Sequence, residues 1–191
     1  VQESQMKTTN DATLLIVDDE ELNRDMLSRR LERAGFGVCT AASGQEALDL
    51  IEAQNRFELV LLDSMMPGMT GVELLKLLRA TRSSSELPVI MVTALSDSER
   101  VVEALNLGAN DYITKPIDMP VALARINAQL SRKRAEDALR NQEHKFAFAA
   151  ESGSAGMWDW DLATDGLSVS ERWKAILGLC GKPFGSTSRD W

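Results

Sequence analysis

The sequence predicts a doubly wound α/β fold, a five-stranded parallel sheet with helices on both faces, and three observations carry that expectation. From Thr13 to about Leu130, short apolar runs alternate five times with amphipathic stretches of helical period. The runs are continuously apolar, as strands buried on both faces are. Four of them end in polar residues: Asp18 and Asp19 after LLIV, Asp63 after LVLL, Thr93 after VIMV and Lys115 after YIT. Parallel strands bring their carboxyl ends to one edge, where open α/β sheets hold ligands, so these residues share one pocket.

The strands are read at Leu14 to Val17, weakly around Val38 to Thr40, at Leu59 to Leu62, at Val89 to Val92 and at Tyr112 to Thr114. Capping boxes open three of the intervening helices, pairing Ser43 with Glu46, Thr70 with Glu73 and Ser96 with Glu99. Gly35 and Gly108, after ERA and LNL, supply the left-handed residue that ends a helix. A fifth helix starts after the cap Asp118, tolerates Pro120 in its first turn, and meets no Gly or further Pro until Gly153. Roughly 30 residues of helix are expected, longer than the globular average.

Along that helix Leu123, Ile126 and Leu130 keep heptad spacing, and Leu139, Phe146 and Ala149 resume it. Lys133 and Asp137 interrupt the register, as a stutter does. The reading is a full α/β domain at 12–130, a coiled-coil-like linker at 131–150 that pairs with a second copy into a homodimer, and a partial domain at 151–191. In that last part Trp158, Trp160 and Leu162 alternate with Asp159 and Asp161, a half-buried strand; Asp165-Gly166 makes a turn, and SERWKAILGL reads as a short helix.

Composition narrows the function classes. A net charge of −8 and a pI near 4.8 argue against a sequence-independent grip on nucleic acid by this segment, which needs clustered cations. No apolar run approaches the roughly 20 residues of a membrane helix, and VQESQMKTTND lacks a signal peptide's apolar core, so a cytoplasmic location is expected. Met6 is a candidate native start, with residues 1 to 5 as an addition ahead of it. Cys39 and Cys180 stand outside any metal or redox spacing and are read as idle thiols. His144, the sole histidine, lies among Gln142, Glu143 and Lys145 and is read as a solvated side chain.

Three carboxylates within a few ångströms raise one another's pKa unless a cation intervenes, so Asp18, Asp19 and Asp63 call for Mg²⁺. A carboxylate can attack phosphorus to give an acyl phosphate, and Lys115 and Thr93 supply donors for the transferring oxygens. Taken in order, IVDDEE, LLDSMMPGMTG, VTA and DYITKP resemble the receiver domain of two-component response regulators, over roughly Ala12 to Leu130.

The resemblance implies a flavodoxin-like sheet of order 2-1-3-4-5. It implies that Asp63 accepts phosphate from the phosphohistidine of a histidine kinase or phosphotransfer protein. It further implies that Asp19, Asp63 and the main-chain carbonyl of Met65 bind Mg²⁺ with Asp18 helping through water, and that Thr93 and Lys115 hold phosphoryl oxygens. A cis peptide at Lys115-Pro116 follows from it, as does a switch in which Thr93 moves inward and Tyr112 follows. Met65 and Leu95, apolar beside the phosphate route, cannot orient an attacking water, so slow self-dephosphorylation is expected.

The stretch GMWDWDLATDGLSVSERWKAILGL is similar to the beginning of a PAS sensor domain. Three functional readings result. One is a regulator, not itself an enzyme, whose effector follows residue 191, for instance a cyclic-di-GMP enzyme or a hybrid histidine kinase. The second is a stand-alone phosphorylation-dependent docking module. The third, a Mg²⁺-dependent phosphohydrolase, expects D-x-D at the nucleophile, and Asp63-Ser64-Met65 lacks it.

Overall fold

The computed structural model describes residues 12–53, 57–94, 98–151, 156, 158–162 and 165–179, with main chain alone at 98–100 and 143–151. Strand and helix alternate as the apolar runs demand: β1 Thr13–Val17, α1 Glu21–Arg33, β2 Gly37–Ala41, α2 Gly44–Ala53, β3 Phe57–Asp63, α3 Gly71–Thr81, β4 Val89–Ala94, α4 Ser98–Asn106, β5 Asp111–Lys115 and α5 Met119–Glu151. The five strands form one sheet of order β2-β1-β3-β4-β5, every pairing parallel.

Within β1 the side chains divide by parity, as pleating requires. Leu15 and Val17 join Leu62, Leu74, Leu75, Leu78 and Met91 on the face covered by α2, α3 and α4. Leu14 and Ile16 join Leu27, Leu31, Leu59 and Leu61 on the face covered by α1 and α5. Each such side chain contributes about 1.5–3 kcal/mol through burial, so the three central strands dominate the stability of this unit. The two edge strands are covered less: β5 buries only Ile113 and β2 only Ala41. That is why GVCTA gave the weakest strand signal. The observed strands run one or two residues past most of the expected limits.

The helix signals divide into those met and those altered. Thr70 and Glu73 form the complete capping box of α3. Ser43 Oγ accepts from Glu46 N at 3.2 Å, but the Glu46 carboxylate takes the N–H of Ala42 at 2.7 Å in place of that of Ser43, so the second half of that box reaches one residue further back. Gly35 and Gly108 have φ of 93° and 95°, the left-handed conformation expected of them. The box at Ser96 and Glu99 lies outside the described residues, as do Met6, Leu95, Gly153, Cys180 and the side chains of His144, Phe146 and Ala149.

The heptad reading of α5 needs correction at its start. Ile126 and Leu130 are fully buried in this domain's own core beside Ala122, and Leu123 packs against the same cluster. These residues meet the sheet first, so they are not available to a second copy; the amphipathic face that looked like a coiled-coil seam is the ordinary core face of a covering helix. Leu139, further along, is exposed.

The chain divides into two units, at Glu136 and Asp137. In the second, β6 Trp158–Asp161 and β7 Gly166–Val169 form an antiparallel hairpin pairing Trp158 with Val169 and Trp160 with Leu167. Asp165 adopts φ 55° in the turn and its carboxylate accepts the Trp160 indole N–H at 2.9 Å. The helix α6 Glu171–Ile176 follows, its cap Ser170 accepting from Trp173 N. The expected half-buried strand is not found: all four residues of β6 are exposed, Trp158 at 53% and Trp160 at 43%. Among the described residues its sheet holds β7 alone as a neighbour, and the alternation of Trp with Asp has no covered face there to serve. No helix among the described residues is long and apolar enough to cross a membrane.

Candidate functional site

The sheet delivers its strand ends to one edge. Asp63 closes β3 opposite Val92, Thr93 follows on β4 opposite Thr114, and Ala94 pairs with Lys115 at the end of β5. Asp18 leaves β1 with its N–H donated to Ala41 O, which carries the β1–β2 ladder one residue past the strand. The Lys115-Pro116 peptide is cis, as expected. Five of the residues singled out from sequence therefore converge: Asp18, Asp19 and Asp63 each offer a carboxylate oxygen within 4.8 Å of the others, and Lys115 and Thr93 border them.

The centre is an ammonium shared by two acids. Lys115 Nζ donates to Asp63 Oδ2 at 2.9 Å and to Asp18 Oδ2 at 3.0 Å. Both carboxylates are more than nine-tenths buried, whereas Asp19 is exposed. Met65 N–H donates to Asp63 Oδ1 at 3.3 Å. Asp18 is held by Glu20 N–H at 2.8 Å and by the Asn23 amide at 3.3 Å to each oxygen. Asn23 had escaped sequence reasoning; its signal is position, the first turn of α1 facing back on the acidic pair.

Burial is the strongest influence on Asp63 and lifts its carboxyl above the usual range; Lys115 pulls it back and the Asp18 carboxylate pushes it up again. Burial also opposes the charge on Lys115, but its hydrogen bonds to Asp63 and Asp18 more than offset this, and it titrates above the ordinary lysine value. One ammonium thus stands among three carboxylates. The donors are all hard oxygens, two of them prepositioned in a wall of the sheet, which suits Mg²⁺ and excludes a thiolate- or imidazole-seeking metal.

The remaining residues take the following places. Thr93 is buried at 2% exposure, and its hydroxyl donates to Ala94 O at 3.5 Å. Tyr112 lies half-buried on the edge strand and packs against the core of the α2–α3–α4 face. Met65 is half in solvent beside the acceptor. Gly71 opens α3 directly behind Asp63: a Cβ there would stand 2.0 Å from the Asp63 carbonyl oxygen, so no side chain fits. A groove of about 290 Å³ adjoins the site, lined by Met26, Leu27, Arg30 and Ile117 as well as by Asp18 and Lys115.

Comparison with known proteins agrees with this geometry. A family model described as response regulator receiver domain matches residues 14–127. The chain is 38% identical over 175 residues, 91% of its length, to the transcriptional regulatory protein CseB of Streptomyces coelicolor, and spans 69% of that protein. A Francisella response regulator receiver domain superposes with a TM-score of 0.59 at 33% identity, covering 64% of this chain and 98% of the other. A two-component system response regulator/GGDEF domain protein superposes with a TM-score of 0.64 at 26% identity, covering 66% of this chain and 51% of the other. The chain thus spans about half to two thirds of the multidomain proteins it matches.

Proposed function

The chain belongs to the response regulator receiver domain family, and from that footing we propose that Asp63 is its phosphoacceptor, charged by a histidine kinase or phosphotransfer protein. The observation that carries this reading is the Lys115 ammonium held between Asp63 and Asp18 at the carboxyl edge of the sheet.

In the transfer a carboxylate oxygen of Asp63 attacks phosphorus, the phosphorus–nitrogen bond of the donor breaks, and the imidazole leaves with its electron pair and takes up a proton. Asp19, Asp63 and the Met65 carbonyl, with Asp18 helping through water, would hold Mg²⁺, which would neutralise charge on the phosphoryl oxygens. Lys115 leaves the carboxylates to donate to one phosphoryl oxygen, and Thr93 turns from Ala94 O to donate to another. Tyr112 follows the space that Thr93 vacates, which makes these two side chains the switch. Met65, with its apolar side chain beside the acceptor, places no water in line, so the acyl phosphate decays slowly. The groove beside Met26, Leu27 and Ile117 gives the donor's helix an apolar seat next to the acceptor.

Downstream, the switch acts through a homodimer and through α5, and the hairpin with α6 reads as the start of a PAS-like domain. The output of the whole protein is transcriptional, as the name of CseB suggests, or that of a GGDEF domain, as the second solved structure suggests. Partners of this kind work in the cytoplasm, the location this reading gives the protein.

The test is intact-mass measurement after incubation with Mg²⁺ and acetyl phosphate. One added phosphate in the wild type and none in Asp63→Asn is the expected result. A phosphate that persists in Asp63→Asn, or none in either protein, overturns the assignment. Decay within seconds overturns the role given to Met65.

A further inference from the structure

The start of β5 is held by α5 at three consecutive residues. Gln129 Nε2 donates to Asn110 O at 3.4 Å, Arg125 Nη1 donates to Asp111 Oδ1, and the Arg125 guanidinium lies 5.4 Å from the centroid of the Tyr112 ring. Arg125 and Gln129 are one turn apart, so both face the same strand from one side of the helix. Ala122 and Ile126 of α5 are buried on the opposite face of the sheet from the cluster against which Tyr112 packs. Arg125 therefore reaches round the edge strand, and Asp111, one residue before the ring, fixes the guanidinium over it.

From this arrangement we propose that Arg125 is a positioning residue for Tyr112: its cation–π contact favours the ring orientation of this structure, and phosphorylation has to displace that contact for the ring to move. The proposal rests on the reading of Tyr112 as part of the switch. It deepens that reading by naming what the ring leaves behind and which helix senses it leave. The present orientation accompanies a Thr93 hydroxyl engaged with Ala94 O and a Lys115 engaged with both acids, so nothing draws Tyr112 inward. The hydrogen bond to Asp111 keeps Arg125 charged, raising it further above its already high pKa, so the contact persists across the physiological range. Because α5 carries the guanidinium and the sheet carries the ring, a move of Tyr112 changes the restraint on α5 through a side-chain contact, in addition to the short main-chain connection from Lys115 to Met119.

The chain has one tyrosine, so 3-fluorotyrosine labelling gives a single ¹⁹F resonance from Tyr112. Beryllium fluoride with Mg²⁺ serves as the phosphoryl mimic, titrated into the wild type and into Arg125→Met, which keeps an unbranched apolar stem and removes the guanidinium with its charge. In the wild type the resonance moves on titration. In Arg125→Met it starts partway along that path, and the beryllium fluoride concentration at half-effect falls about two- to fivefold, the population change that an exposed cation–π contact supports. Asp111→Asn, which loosens the guanidinium but keeps it, moves both quantities the same way by less. Arg125→Lys, which keeps a cation, lies between the wild type and Arg125→Met.

If the wild-type resonance moves and Arg125→Met shares its starting position and half-effect concentration, the proposal is overturned and the switch reading stands. The proposal is overturned equally if Arg125→Met lowers the melting temperature alone, since that marks a packing role. If the wild-type resonance stays still although acetyl phosphate adds a phosphate at Asp63, the role of Tyr112 falls and the proposal falls with it. Absence of any phosphate is instead a failure of the phosphoacceptor reading.

Discussion

The two ends of the same sheet each carry a polar cluster, half-buried at one end and buried around Asp18 and Asp63 at the other, and they are built on opposite principles. At the amino ends of β4 and β5, Arg79 Nε donates to Gly108 O at 2.8 Å and its Nη2 to Asn110 Oδ1 at 3.2 Å. Asn110 Oδ1 also accepts from Val89 N–H at 3.0 Å, and its Nδ2 donates to Ser84 O at 2.9 Å. Burial lowers the pKa of Arg79, and carbonyls face it in place of carboxylates. This cluster is complete in itself. At the carboxyl ends, three carboxylates gather around one ammonium that pairs with two of them, and burial keeps Asp63 reluctant to ionise. A cluster that closes on itself contributes stability, whereas one left short of positive charge is prepared for something that arrives.

The difference is broken or sharpened by substitution at each end. The largest effect is expected from Lys115→Ala, which removes the ammonium shared by the acids at the carboxyl end: phosphorylation by acetyl phosphate, followed by intact mass over time, slows about a hundredfold or more. A change under about threefold would place the essential charge elsewhere. Next, Asn110→Ala leaves Val89 N–H and Ser84 O without their partner and costs about 2 kcal/mol, read by chemical denaturation, while the phosphorylation rate stays within about twofold. Loss of phosphorylation in a folded Asn110→Ala protein would collapse the distinction between the two ends.

A smaller effect probes the cap behind the acceptor. Thr70→Ala removes the capping oxygen of α3 and costs about 1 kcal/mol in the same assay. Its partner Glu73 titrates below the ordinary glutamate range because the Thr70 N–H and hydroxyl donate to it. A carboxyl whose folded pKa is depressed stabilises above its unfolded pKa and stops doing so as pH falls through the folded value. The stability difference between wild type and Glu73→Gln is therefore present at neutral pH and closes in acid; a gap that widens in acid would contradict the cap. Smallest is Ser64→Ala: the hydroxyl is buried beside Asp63 with no hydrogen-bond partner, so its removal leaves stability unchanged or raises it by up to about 1 kcal/mol.

What the sequence made legible follows the same division. The charged cluster announces itself because Asp, Lys and Thr at strand ends are rare side chains in a rare place, and strand order carries them together. The amino-end cluster gave no signal: Arg79 and Asn110 look like any polar residues at a helix end and in a loop, and their partners are mostly main-chain carbonyls, which every residue has. The apolar pattern located α5 well, since Asp118, Pro120 and the run without glycine limit it. It could not say what Leu123, Ile126 and Leu130 pack against, because a heptad and a core stripe coincide over two turns. The alternation of Trp158 and Trp160 with acids marked a strand correctly and its burial wrongly, for alternation reports which side a residue takes and not whether that side is covered. Arg125 over Tyr112 lay beyond reach, because it needs the register of a helix against an edge strand.

One consequence belongs to engineering. With only 2.0 Å between a would-be Cβ at residue 71 and the Asp63 carbonyl oxygen, the third helix and the acceptor strand are spaced by the smallest residue chemistry offers. Helix and strand cannot be tuned separately here: a library randomised from 63 to 73 can vary nearly everything that faces water, yet at Gly71 even a methyl group would have to shift the very oxygen-bearing backbone from which the acceptor hangs.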